Sequence, residues 1–385
     1  MAVGTAFHHR NDEGSGTAKS SRVTTTWVDG SPALCHGDAL TLFVLVCPFH
    51  RARFVVHGSQ YPLHTDRSAQ EKSMSIVVVG SVAFDTLETP MGKRERALGG
   101  SANYFSICAS MFTKVKLCAV VGDDFPSSHI SWLTNRGIDT SGLMHATGKT
   151  FHWSGRYGTD LNEAQTLGTD LNVFADFDPK LPASYADAST VFLANIDPDL
   201  QRKVLTQVKN PRLIGMDSMN LWINIKRDSL VQTIGMVDIL FLNETESRLL
   251  SGEHNIVRAA RGIQKLSKKP LTVVIKRGEY GALLFRPENR ILAVPAWAVE
   301  AVFDPTGAGD TFAGGCMGAL DRTLAHDRPL DDAAWRQALV TGTVMASFVV
   351  EDFSFDRMIE LEAAEIRQRA EALRLMTTLD TTVDL

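Results

Sequence analysis

The chain has 385 residues, 44% of them hydrophobic, enough to bury one α/β core of about 300 residues with an extension beside it. A formal net charge of −5 and a pI near 6.1 give no reason to expect nucleic acid or an anionic membrane as a partner. Five cysteines (Cys35, Cys47, Cys108, Cys118, Cys316) show no Cys-x-x-Cys spacing, and the last three read as reduced core residues of a cytoplasmic protein.

Residues 1–73 hold six of the eleven histidines and mix Gly, Ser, Thr and His without periodic apolar faces. Leu40 to Val46 is apolar but too short to span a bilayer. It also begins too late, without a basic flank, for a signal peptide. The first strand pattern starts directly after Met74. Residues 1–73 are therefore expected to be either a disordered extension or a mis-assigned start, with Met74 as the natural first residue.

From Met74 onward strand and helix patterns alternate. Ser75 to Gly80 opens the series, and Val115 to Val121 is a β-rich run ending at Gly122-Asp123. Phe151 to Phe177 breaks the alternation. Its strand-like pieces and polar turns, including Gly158 to Asn162 and the echo Gly168 to Asn172, predict a small accessory sheet. Val191 to Ala194, Leu213 to Asp217, Ile239 to Leu242 and Leu271 to Ile275 are compact apolar runs, as strands covered on both faces require. Asn255 to Ser267 places Ile256, Ala259, Ile263 and Leu266 at helical spacing. Ile291 to Val302 reads as strands interrupted at Pro295, and Thr311 to Leu320 as a helix. The predicted fold class is α/β, a doubly wound, mostly parallel sheet flanked by helices, with a small β lid. Ligands in such folds bind at the C-terminal ends of the strands. Asp85, Asp217, Asn243 and Asp310 all stand just after strands or in the loops that follow.

The run Asp304-Pro305-Thr306-Gly307-Ala308-Gly309-Asp310-Thr311-Phe312-Ala313-Gly314-Gly315 carries the most chemistry. Small residues at Gly307, Ala308 and Gly309 let the backbone turn and gather N–H groups at a helix N-terminus, which favours an anion. The Asp310 carboxylate lies beside that cradle. A phosphate site with a base next to it is what phosphoryl transfer to an alcohol requires.

Asp304 to Gly315 resembles the C-terminal signature of ribokinase-like (PfkB) carbohydrate and nucleoside kinases. Asn243-Glu244-Thr245-Glu246 resembles that family's Asn-x-x-Glu motif, and Lys276 to Gly281 its Lys-x-Gly-x-x-Gly nucleotide segment. Val78 to Asp85 and Leu98 to Ala102 are similar to its first strand and its Gly-Gly turn. The resemblance runs from about Met74 to Ala370 in the family's order. It implies a kinase domain over residues 74–375, with lid strands within 84–98 and 149–178, and a tail over 376–385.

The resemblance also implies roles. Asp310 is the base that takes the proton of the acceptor hydroxyl, and the helix terminus is expected to keep it ionised. Gly307, Ala308 and Gly309 form the anion hole. Asn243, Lys276, Gly278, Gly281 and Thr306 serve the nucleotide, ATP. Glu246 and Asn243 serve Mg²⁺, an ion that prefers oxygen ligands and keeps its waters; a capping box is the other reading of the same pair. Lys276 meets a phosphate or is a solvated lysine. Ala346 to Phe353 lies near the adenine or in the core. A monovalent cation near Thr306 and a homodimer through the lid are left open. Asp85, Gly99, Gly100 and Asn103 are acceptor contacts, a carboxylate accepting from neighbouring hydroxyls. Here the chain departs from the family, because Tyr104 aligns with its usual asparagine. Cys316 is a second departure, standing where a large apolar residue is usual. His152, Trp153 and Arg156 fall in the lid.

The leading expectation is an ATP-dependent kinase acting on a sugar hydroxyl. The alternative is a nucleoside kinase of the adenosine type, with lid aromatics Phe151, Trp153, Phe174 and Tyr104 as candidates. A third, of another class, is a non-catalytic nucleotide- or sugar-binding regulatory protein. A phosphorylated acceptor would need a cationic clamp, for which Lys93, Arg94 and Arg96 are available.

Overall fold

The computed structural model describes residues 74–377. The expectations for residues 1–73 and for 378–385 lie outside the described residues. The strands, in chain order, are β1 Ser75–Val79, β2 Ala83–Thr89, β3 Gly92–Gly99, β4 Lys114–Val121, β5 Ile138–His145, β6 His152–Tyr157 and β7 Ala164–Asp170. There follow β8 Thr190–Leu193, β9 Leu213–Asp217, β10 Ile239–Asn243, β11 Thr272–Lys276, β12 Ala282–Phe285 and β13 Ile291–Val294.

The main sheet has nine strands in the order β13-β12-β11-β10-β9-β8-β1-β4-β5. Pairing is parallel from β11 to β5, and β12 and β13 are added antiparallel at one edge. The apolar runs alternate between two cores, as a sheet covered on both faces must. Ile76, Val78, Phe192, Phe241 and Val274 face one core, while Val77, Val79, Val191, Leu240 and Val273 face the other. Chain order reverses between β1 and β8, which opens a crevice at their C-terminal ends.

Helices Ala308–Ala325 and Asp332–Val349 pack tightly on the first face. A Cβ added to Gly342 would lie 2.5 Å from Cys316 Sγ and 2.7 Å from Phe312 O. That approach explains the small residue at position 316, where a larger one would force the helices apart. Helix Ala308–Ala325 is anchored at its far end by Asp321, which is fully buried. Its carboxylate accepts hydrogen bonds from Thr113, Ser189 and Thr190.

Two expectations are corrected. The apolar stretch Ile291 to Val302 is a strand only to Val294, because Pro295 lacks the N–H to continue the ladder. Helix Ala363–Thr377 runs past residue 375, where the tail was expected to begin. Among the described residues no helix is long and apolar enough to cross a membrane. Cys108, Cys118 and Cys316 are buried free thiols.

The second sheet has the order β3-β2-β6-β7, the lid predicted from 84–98 and 149–178. Strands β2 and β6 pair in parallel, Asp85 opposite Trp153 and Leu87 opposite Gly155. Alternation puts Asp85, Leu87, Trp153 and Tyr157 on one face. Leu87 and Trp153 there pack with Ala97, Phe303 and Phe353. Thr86 and Glu88 hold His152 and Arg156 on the opposite face, at 2.9 and 3.0 Å. Of the lid candidates, Trp153 shares the Asp85 face, and His152 and Arg156 do not.

Candidate active site

The loop after β13 turns into helix Ala308–Ala325 at Gly307, which has φ 74° and caps the helix in the left-handed region. A side chain there would also strike the ring of Tyr104, so both backbone angle and space require glycine. Ala308 N–H donates to Pro305 O at 3.2 Å. The next N–H groups, of Gly309 and Asp310, belong to a first helical turn and have no intrahelical acceptor. Of the anion-hole residues, Ala308 thus makes a turn bond of its own.

Lys276 at the end of β11 rises under this turn. A Cβ added to Gly309 would lie 2.8 Å from Lys276 Nζ. The same amino group donates to Asp217 Oδ2 at 2.8 Å, with side chains 17% and 7% exposed. Lys276 is therefore not a solvated lysine. Burial works against its charge, but Asp217 and Glu246 outweigh that and push it up to about 12. Gln201 fixes the Asp217 end of the crevice by donating to Leu193 O, Ala194 O and Asp217 O at 3.2, 3.0 and 3.1 Å.

Asp310 stands half-buried in the first turn. Burial and then the charge of Asp217 raise its carboxyl well above the ordinary range; Lys276 opposes, and Asp85 and Glu246 add to the rise. These contributions oppose the helix terminus that was expected to keep Asp310 ionised. Removing the carboxyl from water and surrounding it with acids works against the dipole. A base with a raised pKa accepts a proton more readily near neutrality.

Asn243 and Glu246 form a full capping box at helix Glu244–Ser251. Asn243 N donates to Glu246 Oε2 and Glu246 N to Asn243 Oδ1, both at 2.7 Å. Burial pushes Glu246 up to about 7, against the pull of Lys276. Among the described residues no group of three or more His, Cys, Asp or Glu could hold a metal ion directly. The donor set of Asn243 and Glu246 is all oxygen on the acceptor side and fits an ion held through its own waters.

Gly278 and Gly281 shape the turn after β11, where Arg277 N–H donates to Gly281 O at 2.8 Å. The lid reaches this turn. Asn162 packs on Gly278 so closely that any side chain at 278 would collide with it, and Thr245 Oγ1 donates to Glu163 Oε1 at 3.0 Å.

At the acceptor end Asp85 is 5% exposed and lies against Gly99, where a Cβ would overlap its carboxylate. Burial and the nearby Asp304 push Asp85 up to about 7, while a hydrogen bond from Gly100 N–H pulls it down. Gly100 turns at φ 98° into helix Ser101–Ala109, whose first N–H is capped by Ser81 Oγ at 3.0 Å. Asn103 is fully buried. Its amide donates to Gly99 O at 3.3 Å and bonds His129 Nε2 at 3.2 Å. The structure thus turns Asn103 away from the acceptor contact expected of it. Tyr104, 2% exposed, takes the adjacent place, its ring on Gly307 and its hydroxyl near Ser354 without a hydrogen bond of ordinary geometry.

Three participants carried no role in the sequence reading. Asp217 pairs with Lys276. Asp304 accepts from Thr306 N and Ser354 N, both at 2.9 Å, joining two loops. Tyr157, from the lid, shares a hydrogen bond of 3.1 Å with Thr306 Oγ1. Asp217 had a usable signal in its place at the end of a strand, and Asp304 in its place at the head of the Asp304 to Gly315 run. Ala346 to Phe353 divides: Phe348 and Val349 are in the core, with Arg369 over the Phe348 ring at 3.5 Å, and Phe353 lies under the lid. The lid cations are already paired, Lys93 with Glu95, Arg94 with Asp356, Arg96 with Asp124 and Arg156 with Glu88.

Comparison with known proteins gives the family and the fold. Residues 73–360 match the pfkB family carbohydrate kinase profile. A cytidine kinase of Thermococcus kodakarensis is 32% identical over 270 residues, 67% of this chain and 91% of that protein. Among solved structures, the nucleoside kinase of Burkholderia thailandensis in complex with inosine superimposes with a TM-score of 0.61 at 16% identity, over 77% of this chain and 98% of that one. The ribokinase of Cryptococcus neoformans in complex with ADP gives 0.59 at 20% identity, over 77% and 100%. These two likenesses concern the fold.

Proposed function

The chain belongs to the pfkB family of carbohydrate kinases and is a phosphotransferase with an alcohol group as acceptor, and from that premise we propose that it transfers the γ-phosphoryl group of ATP to a hydroxyl of a neutral nucleoside. Asp310 orients the acceptor hydroxyl and receives its proton as attack proceeds. The open N–H groups of the first helical turn and the Lys276 ammonium stabilise charge on the transferring group. Mg²⁺, when bound with ATP, neutralises phosphate charge; Asn243 and Glu246 would hold it through water. Asp217 keeps Lys276 charged and in place.

The acceptor reading rests on one observation. Asp85 and Trp153 stand side by side on the inner face of the lid, a carboxylate for a ribose diol beside an indole for a flat base. The paired lid cations support an uncharged acceptor over a phosphorylated one, and the cytidine kinase relative favours a nucleoside over the free sugar expected first. The test is ADP release with cytidine, inosine, D-ribose and fructose 6-phosphate as acceptors. A nucleoside should exceed D-ribose in kcat/KM by about 10-fold, the worth of one aromatic contact. Preference for D-ribose or for the phosphorylated sugar overturns the nucleoside assignment.

A further inference from the structure

We propose that Tyr157 is a positioning residue that latches the lid onto the phosphate-cradle loop through the hydroxyl of Thr306. Strand β6 carries Trp153 and Tyr157 on the same face, so one strand brings the acceptor wall and the latch together. The Tyr157 hydroxyl lies 3.1 Å from Thr306 Oγ1, one residue before the Gly307 turn. Thr306 is itself held from below, its N–H donating to Asp304 Oδ1 at 2.9 Å. On the far side of the loop the Tyr104 ring packs against Gly307. The turn is therefore gripped from above by the lid and from the side by the Ser101–Ala109 helix.

Tyr157 acts only as a neutral hydrogen-bonding group. Burial raises its phenol, and Asp304, Asp85 and Asp310 raise it further, while the Thr306 bond works in the other direction. Beyond the latch, the β6–β7 hairpin continues to the nucleotide side, where Asn162 meets Gly278 and Glu163 meets Thr245. One hairpin thus spans acceptor, reaction centre and nucleotide turn. Closing it over a bound acceptor sets the cradle loop and sequesters the transfer from water.

The inference rests on the phosphoryl transfer and not on which acceptor is used. The experiment is a double-mutant cycle of Tyr157→Phe and Thr306→Val, with cytidine as acceptor and melting temperature measured alongside. Each single change removes the same bond. Each should raise the acceptor KM by about 2–10-fold, the range of one neutral hydrogen bond, with a smaller change in kcat and an unchanged Tm. The double variant should be no worse than the worse single one. Thr306→Ser, which keeps the hydroxyl, should raise the acceptor KM less than Thr306→Val does, and this arm with Tyr157→Phe suffices if Thr306→Val does not fold. A kinetically normal Tyr157→Phe, or KM effects that multiply in the double variant, overturns the latch. If the parent enzyme takes D-ribose and not cytidine, the nucleoside reading fails, and the same variants are read with D-ribose.

Discussion

Lys276 Nζ lies 2.8 Å from Asp217 Oδ2, beneath the helical turn that carries Asp310. The pair joins two strand ends of the parallel sheet and sets one positive charge among the carboxylates of Asp217, Glu246 and Asp310. Lys276→Met should therefore do more than weaken ATP binding. It leaves the buried acids uncompensated, and removing one partner of such a pair costs about 3–5 kcal/mol. Urea denaturation should show a loss of that order together with a large fall in kcat. Unchanged stability would mean that the pair is solvated.

Asp217 also controls the base. After burial it is the largest cause of the raised Asp310 pKa, so activity should fall on the acid side as Asp310 becomes protonated. Asp217→Asn removes a repelling charge and lets Asp310 ionise at lower pH. The acid limb of the kcat/KM profile should move to lower pH in this variant. An unmoved limb would assign it to another group.

Asp85 sets stability against binding. Its pKa of about 7 in the folded protein exceeds the ordinary 3.8, so the folded state holds this proton more tightly than the unfolded chain does. Its destabilising effect is absent below 3.8, grows as pH rises towards 7 and is complete above that. Asp85→Asn should raise the Tm of the ligand-free protein at pH 8, with the gain shrinking towards pH 4. It should raise the acceptor KM at least about 10-fold, as loss of a charged hydrogen-bonding partner does. A lower Tm at pH 8 would contradict this account of Asp85.

Asp321 is the control for pure structure. It is buried and accepts from Thr113, Ser189 and Thr190, at the opposite end of its helix from Asp310. Asp321→Asn should reduce stability by about 1.5–3 kcal/mol, the worth of charge-assisted hydrogen bonds, and leave KM for ATP and acceptor unchanged at temperatures where the protein is folded. A kinetic effect without a loss of Tm would show that this anchor has a functional role.

The fold and the phosphate end of the site were legible because local pattern determines them. Apolar runs such as Ile239 to Leu242 can be satisfied only between two cores, and the Thr306 to Asp310 run places small residues and a carboxylate at one helix start. The acceptor end was less legible. Whether Asn103 faces a ligand or His129 is decided by how the Ser101–Ala109 helix is rotated, which one side chain's identity does not reveal. Tyr157 was invisible because its partner lies 149 residues away, across a lid that sequence spacing does not place. The raised Asp310 pKa was hidden for the same reason: the dipole is local, whereas the crowding acids come from β2, β9 and the start of another helix.

The central claim is that Asp310 takes the proton of the acceptor hydroxyl at the anion cradle. The measurement that tests it most directly is steady-state turnover of Asp310→Asn beside its ATP affinity. A general base contributes about 10²–10⁴-fold, so kcat should fall by that factor while ATP binds nearly as before and the Tm does not decrease. A folded Asp310→Asn protein with near-normal kcat would contradict the account and place the base elsewhere.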